Sequence, residues 1–257
     1  MSSTRMRLLL AFIAFPVWVA ITVGGALLSH PRQEGFVQSI GTGPALQFLA
    51  AIGFLAVVIR AAGWRDLALN LPLEKRSWLL LWLPALFLIL FFGLSVALGG
   101  PPAEMLFWAG FNTLLVGISE ELMFRGVLFR ALVLSASYRP AILIVTALFG
   151  AVHSLNVIVT GDLQLALLQC ITAFMSGLLF VAITVRTGSL IPAILYHWLW
   201  DFGTFALIGA SQSPVTTAAP PSAWLYAVPT MLVLPNFLYA LYLLRPRQEG
   251  SLAAKLS

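Results

Sequence analysis

From Leu8 to Leu28 the chain runs 21 residues without a charged side chain, and seven further apolar runs follow it. About 20 apolar residues, rising 1.5 Å each, make a helix as long as the hydrocarbon core of a bilayer is thick. The composition agrees, because 60% of the 257 residues are hydrophobic and 9% are charged, against roughly 25% charged in a soluble domain. The chain is expected to be an all-α, polytopic membrane protein, a bundle of about eight transmembrane helices. Arg5 and Arg7 ahead of the first run resemble the basic start of a secretory signal. A run of 21 residues nevertheless exceeds the apolar core of such signals and is read as a retained helix.

The remaining predicted spans are Pro44–Ile59, Ser77–Leu98, Ala103–Leu134, Pro140–Val159, Leu163–Val185, Leu190–Gly209 and Ala223–Leu244. Gly99-Gly100-Pro101-Pro102, Arg186-Thr187-Gly188-Ser189 and the polar stretch Ser211–Ser222 punctuate them. Three segments follow: 1–100 with helices one to three, 101–209 as the core, and 210–257 with the last helix and tail. No internal repeat is visible, and the single cysteine, Cys170, reads as a packing residue in an apolar stretch.

Basic residues favour cytoplasmic loops. With both termini inside, the cytoplasmic segments collect Arg5, Arg7, Arg60, Arg65, Lys75, Arg76, Arg130, Arg139, Arg186, Arg245, Arg247 and Lys255. Only Arg32 falls opposite, and only Arg125 lies within a span. This asymmetry supports eight spans with the N- and C-termini cytoplasmic. It also accounts for the net charge of +5 through membrane lipids with anionic headgroups, with no nucleic acid as partner.

Six ionisable groups remain inside the spans: Glu120, Glu121, Arg125, His153, His197 and Asp201. Each costs roughly 2.5–3.5 kcal/mol at mid-bilayer, so they must face one another or a polar cavity. Counted along the helices, Glu120 lies about 15 Å from Arg130, His153 about 20 Å from Arg139 and His197 about 16 Å from Arg186. Three helices thus bring polar groups to one layer. Glu121 and Arg125 are spaced i,i+4 with the acid first, which suits an ion pair. Glu120 points about 100° away and stays free for other work. His197 with Asp201, and Phe149 with His153, share the same spacing. Taken singly, each group reads as interhelical glue; together at one depth they point to a site.

The residues resemble a known family. Glu120-Glu121-Leu122-Met123-Phe124-Arg125-Gly126 looks like the EExxxR motif of the CPBP intramembrane proteases, which include the type II CAAX prenyl endopeptidases and bacteriocin-processing or immunity proteins. Phe149 to His153 is similar to the family's FxxxH, and His197 to Asp201 to its HxxxN/D, in the same order and on the same helices. The motifs span Glu120 to Asp201, so the first three helices and the last are matched by hydropathy alone.

The resemblance implies an intramembrane endopeptidase whose cavity opens to the cytoplasmic half of the membrane. Its substrate would be a peptide or protein with a membrane-associated segment. Glu120 and His153 would activate a water, and His197 with residue 201 would stabilise the oxyanion; Glu121, tied to Arg125, would be supporting, as would Phe149. One departure is Asp201 where prenyl endopeptidases usually carry Asn. An ionised Asp cannot donate to an oxyanion, so Asp201 orients His197, is protonated, or binds metal. Glu120, His153, His197 and Asp201 form a mixed N/O set compatible with zinc, leaving a metalloprotease or a glutamate-type mechanism open. The compactness of the chain suggests a multi-pass protein of a bacterial inner membrane. Two other classes fit the polar layer: a non-catalytic immunity or scaffold protein, and a proton-coupled transporter.

Overall fold

The computed structural model describes residues 3–29, 40–72, 74–211 and 223–245, and these are helical with short connections and no strand among them. The helices are α1 (Ser3–Ser29), α2 (Leu46–Ala61), a 3₁₀ turn (Lys75–Leu81) running into α3 (Trp82–Ala97), and α4 (Ala103–Glu121). A π-helical segment (Leu122–Leu128) joins α4 to α5 (Phe129–Ser135). Then come α6 (Tyr138–His153), α7 (Asn156–Thr160), α8 (Leu163–Thr187), α9 (Ile191–Ser211) and α10 (Ala223–Leu243). The eight predicted spans each correspond to one rod, counting α4 through α5 and α6 through α7 as one each. Within the predicted punctuation, the stretch over 212–222 and the tail from 246 lie outside the described residues, as does Arg32.

Five stretches among the described residues are long and apolar enough to cross a membrane: Thr4–Ser29, Lys75–Ala97, Tyr138–Thr160, Leu163–Thr187 and Ile191–Ser211. Leu46–Ala61 and Ala227–Leu243 are shorter apolar helices. The protein is an integral membrane helix bundle. The rod from Ala103 to Ser135 is not among the five, and its sequence says why: Glu104, Glu120, Glu121, Arg125 and Arg130 interrupt its apolar surface. Its ionisable middle is covered by protein rather than lipid, since Glu121 and Arg125 are fully buried.

Lipid tails give helices no hydrophobic reason to associate, so close backbone approach and interhelical hydrogen bonds hold such bundles. Gly150 on α6 illustrates the first: a Cβ there would sit 2.9 Å from the Cys170 carbonyl oxygen and from Phe174 Cβ. Gly117 does the same for α4, where a Cβ would come within 3.3 Å of the Trp198 amide nitrogen of α9. The second device appears where Trp18 Nε1 on α1 donates to Ser119 Oγ on α4 at 2.9 Å, and where Asn236 Nδ2 on α10 donates to the Tyr196 hydroxyl at 2.9 Å.

The connection after α2 is fastened at both ends. Arg7 Nη1 donates to both Asp66 carboxylate oxygens, at 2.8 and 2.9 Å. The Ala68 carbonyl accepts from the Leu190 amide at 2.8 Å, with Ala68 itself held in the left-handed region at φ 54°. This strap ties α1 to the turn before α9 and fixes where α9 enters the bundle. In the core, every residue of α8 from Leu178 to Val185 is buried, between α6 on one side and α10 on the other, with α9 alongside.

Two local features depart from uniform helices. The rod of α4 does not continue as an α-helix but loosens into π geometry immediately after Glu121, the kind of irregularity that recurs at functional sites. The fifth predicted span does not run straight through His153. Tight turn bonds from Ser154 to Ala151 and from Leu155 to Val152, with Ser154 Oγ also donating to the Ala151 carbonyl at 2.6 Å, end α6 at His153.

Candidate active site

The polar layer forms where α4, α6 and α9 meet beside α8. Glu121 is its pivot. Arg125 Nη1 donates to Glu121 Oε1 at 2.9 Å, and both side chains are fully buried. The same oxygen lies 2.9 Å from His197 Nδ1. A carboxylate can only accept, so Nδ1 carries a proton and donates to Glu121. The guanidinium spends another donor on the Gly177 carbonyl of α8, from Nη2 at 2.9 Å.

Aromatic rings close the remaining faces. Arg125 Cζ sits 4.3 Å from the Phe149 centroid and 5.2 Å from that of Phe180, distances at which a desolvated cation is attracted to the ring face. Phe180 also stacks on His197, with centroids 4.5 Å apart and planes 16° off parallel. Gly177 makes this arrangement sterically accessible, because a Cβ there would meet Phe149 Cδ1 at 2.8 Å and Arg125 Nη2 at 3.3 Å.

Glu120 occupies the opposite side of the turn, as its 100° offset requires. Its Oε2 lies 3.7 Å from His197 Nε2 and 4.0 Å from His153 Nε2. No protein donor hydrogen-bonds to that buried oxygen. On His153, Nδ1 donates to the Phe149 carbonyl at 2.7 Å; a carbonyl accepts only, so in the neutral ring the lone pair is on Nε2, the atom facing Glu120. Asp201 Oδ2 completes the set 3.3 Å from His197 Nε2. The side chains of Glu120 and His197 are 10% and 5% exposed, those of His153 and Asp201 22% and 28%. The layer is therefore closed on the α4 side and open beside His153 and Asp201.

All seven residues singled out from the sequence lie in this layer. The Glu121–Arg125 pair forms as its spacing requires, but Glu121 does more than neutralise the arginine, since it also holds His197. Asp201, for which orienting His197, being protonated and binding metal were all open, faces Nε2 of His197, whose Nδ1 edge belongs to Glu121. Phe180 and Gly177 went unread in the sequence: one is a phenylalanine among 18, the other a glycine among 20, and neither falls in a motif.

For zinc, ligands at about 2.0–2.1 Å in a tetrahedron stand about 3.3 Å apart. The spacing between His197 and Asp201 matches that, whereas Glu120 stands farther from both imidazoles, and among the described residues no group of three or more His, Cys, Asp or Glu is arranged to hold a metal ion. As they stand, these side chains do not make a zinc set.

The layer has the parts for proton transfer: the Glu120 carboxylate, with its Oε2 unsatisfied, stands between two imidazoles, each fixed through its Nδ1. No curated protein and no solved structure matches the chain. The family model for the Rce1-like type II CAAX prenyl endopeptidases matches residues 101–203, a stretch that holds Glu120, Glu121, Arg125, Phe149, His153, Phe180, His197 and Asp201. Residues 101–203 of this integral membrane protein are thus similar to the Rce1-like type II CAAX prenyl endopeptidase family.

Proposed function

We propose that the chain is an intramembrane endopeptidase that hydrolyses a peptide bond with a water activated by Glu120 and His153. The observation that carries this reading is Glu120 Oε2, buried without a hydrogen-bond donor and 4.0 Å from the acceptor Nε2 of His153. A water about 2.8 Å from two atoms so spaced sees them at about 90°, an angle its two donor hydrogens can serve. Leaving a buried charged acceptor unsatisfied costs more than the roughly 1–3 kcal/mol of a neutral one.

In the proposed reaction the water gives a proton to the Glu120 carboxylate while its oxygen bonds to the carbonyl carbon of the substrate. His153, through Nε2, shares the hold on that water. The carbonyl electron pair moves onto oxygen, and this oxyanion faces His197 Nε2. Because Nδ1 is committed to Glu121, Nε2 can donate only when His197 carries both protons; the Glu121 carboxylate supplies the countercharge. The intermediate collapses by breaking the C–N bond, and the proton held by Glu120 goes to the leaving nitrogen. Preorganised donors at a developing oxyanion contribute on the order of 3–4 kcal/mol in such sites.

The substrate class follows from the setting: a peptide or protein with a membrane-associated segment, reached within lipid, with no role for nucleic acid. The bias of basic residues supports both termini on the cytoplasmic side; in the proposed reading the membrane is a bacterial inner membrane and the cavity opens to its cytoplasmic half.

The test is reconstitution in liposomes with a helical membrane substrate. Wild type cleaves it, and Glu120→Ala and His153→Ala do not; cleavage that survives both changes ends the protease reading. Ion flux lost in the same variants indicates a proton-coupled transporter, and neither activity in wild type indicates a scaffold or immunity protein. Metal analysis with a chelator separates the types, since activity lost to chelator and restored by zinc assigns a metalloprotease.

A further inference from the structure

We propose that Phe180 on α8 is a positioning residue of this site, holding the imidazole plane of His197 so that Nε2 faces the reacting groups; as a statement about catalysis it rests on the protease reading above. Phe180 lies outside the three motifs. Its ring covers one face of the His197 imidazole at 4.5 Å and 16°. The Phe149 ring meets that imidazole edge-on, at 6.0 Å and 81°.

The Glu121 hydrogen bond fixes one ring nitrogen but not the plane. An imidazole pinned at Nδ1 can still tip about that contact, carrying Nε2 away from Glu120 and Asp201. The tip is blocked by Phe180, which is 2% exposed. Phe180 is held in turn, with the Arg125 guanidinium 5.2 Å from its centroid and the Tyr196 ring at 6.1 Å. One arginine therefore fixes His197 twice, through Glu121 at the nitrogen and through Phe180 at the ring face. When His197 carries both protons, the aromatic face also attracts it as a cation.

The experiment compares wild type, Phe180→Leu, Phe180→Met and Phe180→Tyr, in kinetics on the reconstituted substrate and in nitrogen NMR of the histidine-labelled protein. The His197 signals are assigned by their loss in His197→Ala. Leu and Met remove the flat face, Met with little loss of volume, and Tyr keeps it. In wild type and Phe180→Tyr, His197 shows one sharp, Nδ1-protonated set. In Phe180→Leu and Phe180→Met that set broadens or splits, and kcat falls about tenfold to a hundredfold with KM within twofold, as expected when a catalytic group is misplaced by about 1 Å. Unchanged His197 signals in Phe180→Met, or a loss confined to KM, would overturn the proposal. The spectra need no turnover, so they decide the ring's orientation even if Glu120→Ala shows that the protease reading itself has failed.

Discussion

Glu121 and His197 share a hydrogen bond of 2.9 Å between Oε1 and Nδ1, buried and closed to solvent on both sides. Since Arg125 uses the same oxygen, the three residues form one chain of charge from the π segment through α4 to α9. Glu121→Gln keeps the shape but removes the countercharge for a doubly protonated His197. Its amide is expected to lower kcat on the order of a hundredfold, the scale of losing one oxyanion donor, and to lower the unfolding midpoint as well, since Arg125 is left buried without its countercharge. A variant of normal kcat would show that His197 works without that charge.

Arg125→Ala should act as a stability change first. It leaves the Glu121 carboxylate buried with only His197, and breaking a buried pair costs on the order of 3–5 kcal/mol. It also empties the space against Phe149 and Phe180. Unfolding followed by thermal melting in detergent is expected to show a clearly lowered midpoint, whereas Glu120→Gln, whose Oε2 has no donor to lose, melts near wild type while losing about 10²–10⁴ in kcat.

Much of this site could be read from the order of residues because helix periodicity is short-ranged. The i,i+4 spacing of Glu121 and Arg125 is enough to place an ion pair, and the 100° offset is enough to separate Glu120 from it. The layer itself followed from depth, which one rise per residue fixes. What could not be read depends on contacts between helices distant in sequence. His197 lies 76 positions from Glu121, and no local pattern tells which of its nitrogens meets which acid. Phe180 and Gly177 owe their roles to the distance between α6 and α8, which no single helix records. The π segment and the end of α6 at His153 likewise reflect packing rather than propensity.

Gly177→Ala tests that interhelical distance directly. The new methyl would fall 2.8 Å from Phe149 and 3.3 Å from Arg125 Nη2, so a ring wedged in the core or a committed guanidinium must move. Overpacking of this kind costs about 1–3 kcal/mol. Reduced thermal stability together with reduced kcat is expected, because the two groups that shift are those that hold Phe180 and His197. Gly110→Ala, whose methyl would meet only the Phe202 ring at an ordinary 3.4 Å, serves as the control.

Asp201 stands where the prenyl endopeptidases usually carry Asn, and the geometry gives its replacement a sign. Oδ2 stands 3.3 Å from His197 Nε2, the nitrogen that the proposed oxyanion needs. An ionised Asp competes for that donor. Asn can present its carbonyl to Nε2 or turn its amide toward the oxyanion, adding a donor instead of a competing charge. A net hydrogen bond is worth about 1 kcal/mol, so Asp201→Asn is expected to keep kcat/KM at the wild-type level or raise it by up to about tenfold, measured on the reconstituted substrate. Asp201→Ala removes the competing charge without adding a donor and should fall between wild type and Asp201→Asn. If Asn and Ala are equally inactive, Asp201 acts through its carboxylate, as an acceptor that orients His197 or as a metal ligand, and metal analysis of the Asn variant then distinguishes the two.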